Sequence, residues 1–284
     1  MKVYYMPARL KYSVAIGDNL PWNYPAVFKG NLYENVGKVA SSGCEYAELH
    51  VRAPEMIDAK ALNRCCRENG VKMTSISTGM GYAAEGLSLI DDDPAIRAKA
   101  RARLEGMIDL AGELGSSVII GLLRGMIPDF SHYSLYEDRL TENIHILIEK
   151  AHKENVNLDI EAISFVQCNY FCSSGQTLEY VKKIGSPSLK ILLDTFHMNI
   201  EERDRFGCIA ACGDWLRYVH YSDSNRRRPG AGNFDYIGMT RSLLGIGYNG
   251  FVGLEYIPSG DPSAEFVKTL EYLRSIESML DAEA

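Results

Sequence analysis

The chain is 284 residues long, 46% hydrophobic and carries a formal charge of −7. It can bury one large core but spreads no basic field for nucleic acid or an anionic membrane. No apolar run approaches the ~18 residues that span a bilayer, and the opening MKVYYMPARL lacks the apolar stretch and small residues of a signal peptide.

In chain order, Tyr12–Gly17 reads as a first strand, followed by a helix from Leu32 to Ser42 with Gly43 as its stop. Residues 44–51 alternate as a second strand ending near Glu48 and His50, and Ile57–Asn69 is helical up to Gly70. The third strand, 71–78, runs into a glycine-rich loop over 79–86. Asp93-Pro94 then opens a long helix to Leu114, with Asp as cap and Pro at the first helical position. Residues 116–123 form the fourth strand, and Arg124-Gly125 begins a polar loop. Leu135–Asn155 is a helix, 156–162 a strand, Thr177–Ile184 a helix and 188–194 a strand. Asp204–Cys212 (helix), 215–223 (strand), Phe234–Leu244 (helix), 250–257 (strand) and Pro262–Leu280 (helix) complete the series. Eight strand–helix units in strict alternation predict an α/β fold, a single (β/α)8 TIM barrel occupying residues 1–284 as one domain. An open doubly wound sheet would carry G-x-G-x-x-G after its first strand, and that signature is missing.

Seven cysteines are an odd number, and a chain this long needs no disulfide staples, so the expected compartment is the reducing cytoplasm. The C-x-x-x-C pairs Cys168/Cys172 and Cys208/Cys212 read as small hydrophobes on helix or loop faces rather than zinc ligands.

The run Ile191-Leu192-Leu193 ends abruptly in Asp194, and His197 follows in the loop. An unalternated apolar run is a strand buried on both faces, and its first ionisable residue marks the edge where α/β folds bind ligands. The neighbouring strands supply partners: the fifth to the eighth end in Glu161, Asp194, His220 and Glu255. In a parallel barrel all four ends face one mouth. Three carboxylates and an imidazole form a hard site for Mn2+, with Mg2+ or Co2+ as alternatives. Burying the carboxylates without a cation would be costly. His50, Glu48, Trp22 and Tyr12 near the early strand ends are candidates to line the same pocket.

With those residues in place, the sequence resembles the xylose-isomerase-like barrel superfamily, in its ketose 3-epimerase and sugar isomerase/epimerase branch. The resemblance covers nearly the whole chain and is most specific over 192–202, 219–236 and 246–258. Segments 84–100 and 118–125 look like the subgroup acting on ketohexoses and keto sugar acids, such as 5-keto-gluconate epimerase. The resemblance implies a metal held by Glu161, Asp194, His220 and Glu255, with Glu161 and Glu255 as the acid/base pair on opposite faces of the substrate. It also implies substrate contacts from His197 and Arg226, a small sugar or sugar-acid partner, and a dimer or tetramer. The chemistry is coherent on its own terms. Inverting a carbon beside a carbonyl needs one carboxylate to remove a proton and another to return one, with a cation stabilising the enediolate between them.

One stretch departs from the family pattern. Where E-x-L-N-R-x-E is usual, the chain reads Glu161-Ala-Ile-Ser-Phe-Val-Gln167, so Gln167 stands at a substrate-contacting carboxylate. Gln keeps hydrogen-bonding capacity but drops the charge, which suggests a substrate with its own negative charge, held by Arg226, Arg227 and Arg228. The plainer reading is a solvated basic loop with only Arg226 turned inward. Three rivals share the fold. A dehydratase of inosose or dehydroshikimate type would use the same residues. A non-catalytic sugar-binding barrel would keep them without turnover. An abasic-site endonuclease would need more histidines than the six present.

Overall fold

The computed structural model describes residues 10–283. The signal-peptide reading of the first ten residues therefore rests almost wholly outside it. Eight parallel strands close on themselves in sequence order, with β1 (Lys11–Gly17) pairing β8 (Phe251–Leu254) to seal the barrel. Between them run β2 (Tyr46–His50), β3 (Lys72–Ser77), β4 (Ser117–Ile120), β5 (Leu158–Ala162), β6 (Leu189–Asp194) and β7 (Leu216–Tyr221). The outer layer is α1 (Leu32–Ser41), α2 (Ala59–Asn69), α3 (Gly79–Glu85), α4 (Pro94–Leu114) and α5 (Tyr133–Lys153). It continues with α6 (Ser174–Ile184), α7 (Thr195–Glu201), α8 (Gly207–Cys212), α9 (Tyr236–Gly245) and α10 (Pro262–Glu283).

Local chemistry sets the helix ends. Asp93 accepts a hydrogen bond from the Ala95 amide and Pro94 opens α4, which ends at Gly115 in the left-handed region (φ 66°). Ser173 and Gln176 form a reciprocal capping box on α6. Two expectations are corrected. The glycine-rich stretch after β3 is helix α3, because a bare Gly81 lets Leu123 pack where a Cβ would lie 3.2 Å from its Cδ1. His197 sits in helix α7 rather than a loop, because Asp194 caps that helix by accepting from the Phe196 amide at 2.8 Å.

The main core lies between strands and helices, where residues such as Val14, Ile16, Leu49, Ile76, Ile160 and Leu193 are fully buried. The lumen is stacked in layers. Near its N-terminal end Arg217 pairs with Asp159, which also accepts from Ser117 at 2.9 Å. Ile119, Leu192 and Tyr218 fill the middle as a separate apolar plug. Above the plug the lumen turns polar, and the strands deliver their ionisable residues there. The seven cysteines are free thiols, with Cys168, Cys208 and Cys212 buried as expected of small hydrophobes. No helix among the described residues is long and apolar enough to cross a membrane.

Candidate active site

Asp194 closes β6, Glu161 and His220 are the penultimate residues of β5 and β7, and Glu255 follows β8 directly. All four are buried, Glu161 the least at 9% exposure. Ligand atoms of Glu161, Asp194 and His220 lie within 4.8 Å of one another. Glu255 falls in a second group with Glu48 and His50, yet its Oε2 is 3.6 Å from His220 Nδ1. His220 fits because its cross-strand neighbour is Gly253, where a Cβ would stand 2.8 Å from the imidazole Cδ2.

Arg226, on the loop after β7, bridges Asp194 and Glu255 and lies with its guanidinium 4.9 Å from the Phe196 ring centroid. Its backbone takes the left-handed φ of 61°, unusual for a non-glycine residue, held between bonds to Asp223 and Ile257. His197 accepts or donates at Nδ1 with Ser164 Oγ, 2.9 Å away. Burial pushes the His197 imidazole down to about 3, so it is neutral.

Charge at this mouth is unbalanced. Four carboxylates, those of Glu48, Glu161, Asp194 and Glu255, are buried here, and Arg226 pairs directly with two of them, Asp194 and Glu255. Burial opposes ionisation of Asp194, but Arg226 and the nearby imidazoles outweigh it and hold the group below its usual range. Burial pushes Glu161 up to about 8 and Glu255 up to about 7. Burial would lower His220, but Glu48 and Glu255 outweigh it and bring the imidazole up to about 10. Without a cation the site thus gathers protons to offset its own charge. A divalent ion would supply the same compensation. The His220 Nδ1 atom is buried with no hydrogen-bond partner, 3.9 Å from Glu161 Oε1, which is where a ligating nitrogen would stand. The donor set therefore fits a hard divalent cation.

The remaining expectations fare unevenly. Glu48 and His50 do enter the site, and Tyr24 reaches His50 Nδ1 at 3.1 Å. Tyr12 does not, because it sits low on β1 and turns outward to bond Glu277 of α10 at 3.2 Å. Trp22 is 82% exposed on the β1–α1 loop. Gln167 is exposed on the turn after β5, while Ser164 from the same run is buried against His197. Arg227 and Arg228 donate to the carbonyls of Ile257, Pro258 and Pro229. Arg124, expected to begin a polar loop, is instead fully buried: it donates to the Glu161 carbonyl at 2.7 Å and to the carbonyls of Tyr170 and Phe171. An arginine beside a glycine after a strand gives no signal of that burial.

Residues 36–276 match a family model described as the xylose isomerase-like TIM barrel. A D-psicose 3-epimerase of Ruminiclostridium cellulolyticum is 29% identical over 259 residues, spanning 88% of this chain and 87% of that protein. An L-ribulose 3-epimerase of Methylomonas sp. is 27% identical over 276 residues, spanning 95% and 92%. Among solved structures, an L-ribulose 3-epimerase superposes with a TM-score of 0.81 at 21% identity, over 96% of this chain and 98% of the other, a match of fold.

Proposed function

The chain belongs to the xylose isomerase-like TIM barrel family, and we propose that it is a divalent-metal-dependent epimerase acting on a free ketose beside its carbonyl. The observation that carries this reading is geometric: the buried carboxylates of Glu161 and Glu255 converge on one imidazole nitrogen, 3.9 and 3.6 Å from His220 Nδ1. Two carboxylates on one site allow one to take a proton from carbon and the other to return one. The relatives support the substrate class, since a psicose and a ribulose epimerase both act on ketoses.

Glu161, Asp194, His220 and Glu255 would hold the ion, Mn2+ first, with Mg2+ or Co2+ as alternatives. When bound, it would supply electrostatic stabilisation of negative charge on the substrate oxygens. One glutamate removes the proton from the carbon beside the carbonyl, and the other delivers a proton to the opposite face. His197 stays neutral, fixed by Ser164, and offers its other ring nitrogen to a substrate hydroxyl. Arg226 pairs with Asp194 and Glu255, offsetting part of their charge, and keeps donors for substrate oxygens. The exposed Gln167 and the carbonyl-bound Arg227 and Arg228 favour an uncharged ketose over a sugar acid.

Product analysis tests the outcome. Mn2+-loaded protein incubated with ketohexoses and pentuloses is expected to give the ketose epimeric at the carbon next to the carbonyl, read by carbon NMR. An aldose product would make it an isomerase, and an enone or diketone absorbing in the ultraviolet would make it a dehydratase.

A further inference from the structure

Glu48 belongs neither to the four residues assigned to the ion nor to the proton-transfer pair, yet it is completely buried in the lumen. Its Oε1 lies 2.7 Å from His50 Nε2, and its Oε2 lies 3.0 Å from His220 Nε2 and 2.7 Å from Ser75 Oγ. Two carboxylate oxygens meet three groups that can each donate, and the contacts are all satisfied when both imidazoles present Nε2–H and Ser75 its hydroxyl hydrogen.

The backbone is shaped for this arrangement. Pairing of β2 with β3 skips Thr74, since Ala47 faces Met73 and Glu48 faces Ser75. The extra residue breaks the alternation: Met73 and Ile76 join the outer core, while Thr74 and Ser75 both bond within the lumen. That places Ser75 against Glu48. With Nε2 committed, the second nitrogen of each ring has a defined partner. His50 Nδ1 meets Tyr24, and His220 Nδ1 is left among the carboxylates of Glu161 and Glu255.

We propose that Glu48 is a positioning residue, which locks the Nε2–H faces of His50 and His220 so that His220 turns Nδ1 on the carboxylates and binds a divalent cation tightly. The cation half rests on the functional reading above; the ordering of the two rings stands without it. Outer carboxylates that hold a ligating imidazole typically change metal affinity by roughly 10–100-fold when altered.

The test uses Glu48→Gln, which keeps the shape, and Ser75→Ala, which removes one of its donors. Titration with Mn2+ alone by calorimetry is expected to show affinity weakened roughly 10–100-fold in Glu48→Gln and less in Ser75→Ala. In the metal-free protein, proton NMR is expected to show two slowly exchanging downfield imidazole N–H resonances, assigned through His50→Asn and His220→Asn. Both should move in Glu48→Gln. A Glu48→Gln protein that binds Mn2+ within twofold of the original, or leaves both resonances in place, overturns the proposal. If the unaltered protein binds no divalent cation, the functional reading falls together with the cation half, and the resonances alone decide the ordering role. If Mn2+ binds and responds to Glu48 but no ketose turns over, only the functional reading falls. Should Glu48→Gln fail to fold, Ser75→Ala carries the same comparison.

Discussion

Four carboxylates share one pocket, and their neighbours split them into two kinds. At Glu48 and Asp194 the nearby imidazoles and Arg226 outweigh burial and keep the groups ionised, whereas at Glu161 and Glu255 burial outweighs His220 and Arg226 and raises them to about 8 and about 7. The sign of the pH effect follows. Below those values the metal-free site holds protons that an ion must displace, and His220, brought up to about 10, adds another. Mn2+ affinity is therefore expected to tighten by about tenfold or more between pH 6 and pH 8. Calorimetry at the two values checks this, and an affinity that is flat or weaker at pH 8 contradicts the assignment of these groups as ligands. At this scale the sequence was informative where one residue type ended an apolar run, as with Asp194 after Leu193. It was silent on the bond from Glu48 to His220, because those residues stand 172 positions apart and meet only across the closed lumen. Strand alternation did put Glu48 and His50 on one face, but not what they would find there.

Elements position these groups through their ends and loops. Arg124 fastens the β4 loop to the Glu161 carbonyl and to the loop before α6. The next residue, Gly125, adopts φ 93°, and a Cβ there would stand 2.0 Å from Ser88 Oγ and 2.8 Å from Ile90 Cγ1. Gly125→Ala is expected to destabilise the fold by about 2–3 kcal/mol, from both backbone strain and overlap. Urea unfolding measures it, and a change under about 0.5 kcal/mol, the usual surface value, would show that the loop relaxes freely. Periodicity predicts most helices, and Asp93-Pro94 marks the start of α4 because that cap acts locally, whereas the unread caps Asp58 and Ser173 leave α2 drawn from Ile57 and α6 from Thr177. The same reasoning misses α3 and α7. Both are seven residues long, α3 is rich in glycine, and their stability comes from Leu123 packing and from the Asp194 cap. Propensity alone does not contain those contacts.

Over the whole molecule, barrel closure converts a one-dimensional pattern into a site. Strands five to eight each bring one carboxylate or imidazole to the mouth, and pairing of β8 with β1 carries Glu255 next to His50 of β2, whose Nε2 is 4.0 Å from Glu255 Oε1. The eight-unit alternation was legible because each buried parallel strand is a short apolar run bounded by turn residues. The polar layering within the lumen was not, since it depends on bulges at Thr74 and Arg217 that shift which residues face inward. The central claim is proton transfer at carbon by Glu161 and Glu255, and deuterium uptake tests it most directly. Mn2+-loaded protein in D2O is expected to exchange the hydrogen beside the carbonyl of its ketose, seen by NMR. The exchange should fail after chelation and fall at least about a hundredfold in Glu255→Gln, the lower range for loss of an acid–base group. Tight Mn2+ binding with no exchange in any ketose, or undiminished exchange in Glu255→Gln, would contradict it.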